Sequence, residues 1–173
     1  MRKSLVLHAL FTVMLVITGF SAKAQGGDLN IYAGGNIIVA FPAGDFKNGY
    51  TYGAGAEGSL GFGITKKIYL LGTLGYVSYK NEDTNPYGKI RYVPIKGGIR
   101  IYPGKNLYVA ANAGVGLLKD AVMTSNESRF AYDAGVGIQV SVLQFGIHYD
   151  AWQRKNTPGA SGAVQVKVGL VFK

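Results

Sequence analysis

The chain contains no cysteine, which excludes disulfide staples, thiolate metal ligands and a lipid anchor attached to an N-terminal cysteine. Histidine is almost missing as well. His8 and His148 are the only two, and scattered carboxylates do not complete a typical ligand set for zinc or another transition metal, so no metal and no cofactor is expected. Beyond residue 20 there is no long uninterrupted apolar stretch, and a spanning helix needs about 20 such residues, so the rest of the chain is not a helical membrane protein. Charged residues make up only 16% of the 173 residues, and the basic ones never form a run. A nucleic-acid partner, which needs a clustered basic stripe, is not expected.

What is present begins with an export signal. Arg2 and Lys3 precede an apolar run over residues 5–20, which ends at Ala22-Lys23-Ala24. The short apolar core and the small-x-small ending mark a cleavable signal peptide over residues 1–24, leaving one domain over residues 25–173. Taking Arg2, Lys3 and Lys23 from the 18 basic residues leaves 15 against 9 acids, a net of +6. That excess fits solvated loops with a few inward-facing bases. Read functionally, it fits attraction to anionic lipopolysaccharide.

The mature part is rich in glycine, with 26 in the whole chain, and in tyrosine, with 12. Its last segment alternates strictly: Val164, Val166, Val168, Leu170 and Phe172 share one face, and Gln165, Lys167 and Gly169 the other. A period of two is the mark of a β-strand whose faces meet different media. The same reading predicts eight strands, near residues 28–41, 51–64, 68–79, 90–102, 107–118, 130–142, 143–152 and 163–172. Connections over 42–50, 80–89, 119–129 and 153–162 are long, whereas those over 65–67, 103–106 and near Val142 are tight. Long and short alternate, as in an even-stranded up-and-down barrel that gathers its tight turns at one end and its long loops at the other. The expected fold is all-β, an eight-stranded antiparallel transmembrane β-barrel behind a signal peptide.

Alternation also assigns faces. Glu57, Lys96, Arg100, Asp133, Gln139, Gln144, His148, Asp150, Gln165 and Lys167 fall inward as a polar lumen network. Outward aromatics sort by height, with Tyr52, Tyr76, Phe130, Tyr132 and Tyr149 near the long loops and Phe62 and Phe172 near the tight turns, as two interfacial girdles require. An eight-stranded barrel has room only for its own side chains, so the lumen charges must be paired or hydrated. Gly114, Gly116, Gly135 and Gly137 also face inward and are expected to make room for the long Lys and Arg side chains. Gly53-Ala54-Gly55-Ala56-Glu57-Gly58 matches the dinucleotide fingerprint formally, but it lies inside a strand, where that motif has no mechanism.

One catalytic constellation is open to consideration. His148 sits two residues from Asp150 on the inner face, and an acyl-transfer site would add a hydroxyl, with Ser161 and Ser128 as candidates. Such a site would make the protein a lipid A-modifying outer-membrane hydrolase or transferase. A narrow pore past Lys96, Arg100 and Glu57, or a soluble lipocalin-like binder, are further alternatives.

The stretch Tyr92-Val93-Pro94-Ile95-Lys96-Gly97-Gly98-Ile99-Arg100-Ile101-Tyr102, the phrases Ala113-Gly114-Val115-Gly116 and Ala134-Gly135-Val136-Gly137, and the closing Val166-Lys167-Val168-Gly169-Leu170-Val171-Phe172 resemble the small OmpA/OmpX-type outer-membrane β-barrel proteins. The resemblance spans essentially all of the mature chain. It implies insertion by the barrel-assembly machinery, which recognises a final strand ending in an aromatic; here Lys173 follows Phe172. It carries over no catalytic residue. The expected function is that of a non-enzymatic bacterial outer-membrane protein with both termini periplasmic. Four extracellular loops would serve envelope integrity, adhesion or binding of an external partner.

Overall fold

The computed structural model describes residues 30–81, 88–119, 127–154 and 158–173. The predicted signal peptide over residues 1–24 lies outside them. Eight strands, β1 (Ile31–Ala43), β2 (Tyr50–Gly63), β3 (Ile68–Asn81), β4 (Ile90–Ile101), β5 (Leu107–Lys119), β6 (Glu127–Val140), β7 (Leu143–Gln153) and β8 (Ala160–Phe172), follow one another in chain order around a closed barrel. Every neighbouring pair is antiparallel, and β1 pairs with β8 from Ala33↔Phe172 to Ala43↔Gly162 to close the ring. Closure removes free edges, so the backbone donors and acceptors of the wall meet partners within the sheet, which is the condition for crossing lipid with strands. Among the described residues no helix is long and apolar enough to cross a membrane.

The strands are longer at the long-loop end than alternation alone suggests. β6 starts at Glu127 rather than near Phe130, β3 runs to Asn81 and β8 starts at Ala160. At the tight end the β6–β7 hairpin is shorter than expected: Ser141 and Val142 form the turn itself, and Ser141 takes φ 55°. A positive φ at the first central position suits a two-residue hairpin matched to strand twist, a place where glycine is the usual choice. The first long connection holds an unexpected single turn of 3-10 helix, Gly44–Asn48. A register shift between Tyr50 and Tyr52 in the β2–β3 ladder lets Tyr50 turn inward while Tyr52 stays outward.

Pro94 sits in β4, which in a sheet would argue for an edge strand because proline cannot donate to the ladder. In a closed barrel no edge exists. The ladder instead skips from Leu74↔Ile95 to Val77↔Tyr92, and the proline ring rests over Gly75, where a Cβ would come within 3.1 Å of Pro94 Cγ.

Candidate functional site

The exterior is where the sequence is most unusual for a folded protein. Ile37 is 70% exposed, Leu60 66% and Ile147 59%, and they belong to a belt of outward Val, Leu and Ile side chains that runs around all eight strands. All seven predicted girdle aromatics, Tyr52, Phe62, Tyr76, Phe130, Tyr132, Tyr149 and Phe172, are exposed on this outer face, joined by Phe41 and Phe145. An apolar surface of this extent in water would drive aggregation; in a bilayer it is the solvated surface. On one side the belt dips into a shallow trench of about 1300 Å³, floored in part by Gly35, Gly58 and Gly72 and walled by Ile37, Leu60 and Leu74.

The lumen inverts this pattern. Lys96, Arg100, Asp133, Gln139, Gln144, His148, Asp150, Gln165 and Lys167 are all buried inside, and the Glu57 side chain is 5% exposed. Lys96 of β4 reaches across to both Asp133 of β6 and Asp150 of β7. Asn112 donates to Asp133 Oδ1 at 2.9 Å, and the Tyr92 hydroxyl donates to Asp150 Oδ1 at 2.9 Å. On the other side Lys167 donates to Glu57 at 2.8 Å, Asn36 donates to Glu57 at 2.8 Å, Gln144 donates to Asn36 at 2.6 Å and Arg100 donates to Gln144 at 2.8 Å. Among the described residues Arg100 has no carboxylate partner. Its guanidinium donates to the Tyr32 hydroxyl and lies 5.0 Å from the Tyr32 ring centre and 4.2 Å from that of Tyr108, an arrangement in which ring quadrupoles stabilise the cation. Among the described residues three buried cations, Lys96, Arg100 and Lys167, thus share the lumen with three buried carboxylates, Glu57, Asp133 and Asp150.

Aromatic clusters sit above and below this polar band. At the long-loop end Phe46, carried on the 3-10 turn, lies 4.7 Å from Tyr50, 5.0 Å from Tyr79 and 5.0 Å from Trp152, ring centre to ring centre, and Trp152 lies 4.6 Å from Tyr92. At the tight-turn end Tyr32, Tyr69, Tyr102 and Tyr108 pack in series at 5.7 to 6.1 Å. Lys173 closes over Tyr102, its Nζ 3.5 Å from the ring centre. Burial there, and then the Arg100 charge, hold the Lys173 ammonium below its ordinary pKa. A water path past Lys96, Arg100 and Glu57 would have to cross both clusters. The expectation of a polar lumen therefore needs correcting: the interior is polar only in its middle.

The inward glycines also need correcting, since most of them make room for rings rather than for Lys and Arg side chains. A Cβ at Gly116 would run into the Tyr92 ring, at Gly137 into Tyr108, and at Gly135 into His148; only Gly114 lies against Lys96, and there it is backbone that a Cβ would meet. These inner aromatics are what alternation alone passed over, although Tyr92 shares the parity of Lys96 and Arg100, and Tyr108 that of Asn112.

The candidate acyl-transfer site does not assemble. His148 Nδ1 lies 3.1 Å from Asp133 Oδ1 on the neighbouring strand, whereas Asp150, the carboxylate expected beside it, is taken by Lys96 and Tyr92. Ser161 pairs with Trp152, and His148 pairs with Gln165, four residues further along β8. At about 3.3 Å per residue that separates the two by roughly 13 Å. Ser128 is exposed and has the outward parity of Phe130. Among the described residues no group of three or more His, Asp or Glu side chains could hold a metal ion.

No family model and no curated protein matches the chain in sequence. Solved barrels match in structure. The N-terminal β-barrel domain of Pseudomonas aeruginosa OprF aligns with a TM-score of 0.60 at 15% identity, over 84% of this chain and 100% of that one. Neisserial surface protein A aligns at 0.59 and 17% identity, over 83% and 96%. The Yersinia pestis outer membrane protein Ail, in a phospholipid nanodisc, aligns at 0.58 and 13% identity, over 82% and 99%. At such identities the likeness is one of fold, and the fold is the closed eight-stranded barrel of small outer-membrane proteins.

Proposed function

We propose that the protein is a non-enzymatic integral protein of the bacterial outer membrane, a rigid barrel that holds four loops at the cell surface for envelope integrity, adhesion or capture of an external partner. The observation that carries this reading is the pairing of an apolar, aromatic-rimmed exterior with an interior of buried, mutually bonded polar and charged side chains closed at each end by rings. Such a wall is stable only in lipid, and an interior stoppered by Phe46, Trp152 and the tyrosine series is a packed core rather than a conduit or a reaction chamber.

Both termini of the barrel lie at the tight-turn end, since Ala33 of β1 pairs with Phe172 of β8. In this reading that end is periplasmic and the long loops are extracellular, with insertion by the barrel-assembly machinery and lipopolysaccharide around the outer leaflet. The non-enzymatic assignment rests on the distance between His148 and Ser161 and on the capture of Asp150 by Lys96.

The test is electrophoresis of detergent-extracted outer membranes with and without boiling, combined with surface proteolysis of a tag in the connection between β7 and β8, residues 154–159. A boiling-dependent shift with a surface-cleaved tag is the expected result. A soluble periplasmic protein without a shift would overturn the reading in favour of a lipocalin-like binder.

A further inference from the structure

Among the described residues the outer wall at the long-loop end carries its exposed cations on one side, on neighbouring strands β3 to β5. Lys80 on β3, Lys89 just ahead of β4, Arg91 on β4 and Lys119 on β5 are all exposed, and each shares the outward parity of the apolar belt below it. Arg91 stands directly opposite Lys119, and the next step beyond the pair Tyr79↔Ile90 brings Lys80 beside Lys89. Like charges directly opposite on one sheet face repel. Among the described residues no carboxylate pairs with any of the four, although the nearby cations Arg129 and Arg154 do have acids, Glu127 and Asp45. Lys80 also lies 5.9 Å from the centre of the Tyr52 ring.

Depth and sidedness give the patch its meaning. Arg91 is two residues above Val93, and Lys119 two above Leu117, so the charges begin about 7 Å past the last apolar outward positions. That height is the one of the long-loop girdle, since Lys80 pairs directly with Tyr52, and in a bilayer such a girdle marks the interface where headgroups begin. Among the described residues, the last outward positions of the strands around the rest of the barrel, Ala43, Tyr52, Ser128, Gln153 and Ala160, carry no charge. A rim that merely wanted solvation would distribute its lysines around the ring. The only other exposed long-loop cation among the described residues without an ion pair is Lys47, and it lies on the 3-10 turn over the mouth rather than on the wall.

We propose that the β3–β5 flank is a binding site for the phosphate groups of anionic lipid in the leaflet at the long-loop end, held by Arg91 and Lys119 with Lys80 and Lys89 beside them. Phosphate bridging the opposed cations converts a repulsive arrangement into charge-assisted hydrogen bonds, with the planar guanidinium taking two oxygens. Acyl chains of the same lipid then lie down the apolar wall below. This rests on the proposed membrane location and adds to it a partner and a defined face.

The full chain, refolded into phosphatidylcholine vesicles, tests it with spin-labelled phosphatidic acid and spin-labelled phosphatidylcholine as the two probes. The motionally restricted fraction should favour phosphatidic acid, and K89Q/R91Q/K119Q should lower that preference by up to roughly fivefold for each charge removed, in line with the usual worth of a basic residue at an anionic surface. K66Q/K67Q/K105Q at the tight-turn end should leave it unchanged. Equal preference for both probes in the native chain, or a preference the triple variant retains, overturns the site. Abolition by inorganic phosphate at matched ionic strength would overturn the lipid assignment and mark a free-anion site. Heat-modifiable migration is read on each sample, so failure to insert is distinguished from failure to select. If the triple variant lacks the shift, R91Q and K119Q singly must each lower the preference for the proposal to stand.

Discussion

Lys167 of β8 and Glu57 of β2 form a buried ion pair at 2.8 Å across the inside of β1, tying together the two strands that flank it at the closing seam. Removing one partner leaves the other charged and unpaired out of water, which costs about 3–5 kcal/mol, whereas removing both with apolar residues of similar size is close to neutral. E57Q and K167M should therefore each lower the urea midpoint of the barrel in vesicles strongly. E57L/K167M should recover most of the loss. Additive losses in the double variant would show that the pair is not a coupled unit.

Two glycines predict opposite responses to the same substitution. At Gly135 a Cβ would run into the His148 ring and the Ile147 carbonyl, while at Gly58 it meets open space on the outer wall. Gly135→Ala should destabilise by about 1–3 kcal/mol, the usual cost of overpacking. Gly58→Ala should be neutral or stabilising by up to about 1 kcal/mol, because it restricts the unfolded chain without a clash. Unfolding titrations of the two variants side by side check both signs.

The alternation of Phe130, Tyr132, Val136, Ile138 and Val140 against Asp133 and Gln139 was enough to set barrel, strand count and face, because a two-residue period leaves no freedom once one face meets lipid. What it could not set was which inward residues meet across the lumen. Tyr92, Lys96 and Arg100 share one inward parity, yet Tyr92 joins the upper aromatic cluster and Arg100 the lower tyrosines; which inward residues meet depends on the relative register of eight strands. The same limit misplaced the partner of His148. Asp150 is its neighbour along the strand, but it is held by Lys96 and Tyr92, whereas Asp133 sits diagonally across on β6 and the residue directly opposite His148 is Gly135, which leaves the ring room to lean towards it. The Gly44–Asn48 turn was illegible for another reason: its burial of Phe46 depends on Tyr79 and Trp152, neither of them near it in sequence.

The upper aromatic cluster should act as a stopper. Phe46 packs on Tyr50, Tyr79 and Trp152, so Phe46→Ala should destabilise by about 3 kcal/mol, at the low end for truncating a buried aromatic. It should also hasten hydrogen exchange of buried lumen groups from the long-loop side. Tyr52→Ala, on the outer wall near the same height, should leave that exchange unchanged. Equal acceleration in both variants would mean that general loosening, rather than an opened mouth, lets water in.

Charge on the outer wall should separate a lipid-embedded barrel from a soluble one. Val166 pairs with Ile147 on one side and with Val39 on the other, all three outward and exposed, which places it within the apolar belt, one outward step from the level of Tyr149 and three from Phe172. Arginine at a midplane position costs about 2–4 kcal/mol in lipid, while in water the same change on an exposed strand position is usually within about 0.5 kcal/mol. Val166→Arg and Val140→Arg should therefore reduce refolding into vesicles, the first more than the second, because Val140 lies at the end of β6 beside the tight turn, nearer the interface. Lys47→Glu on the 3-10 turn should refold as the native chain does. The gradient with depth is the informative part: a soluble barrel predicts no difference between the two valines, and a bilayer sets their order.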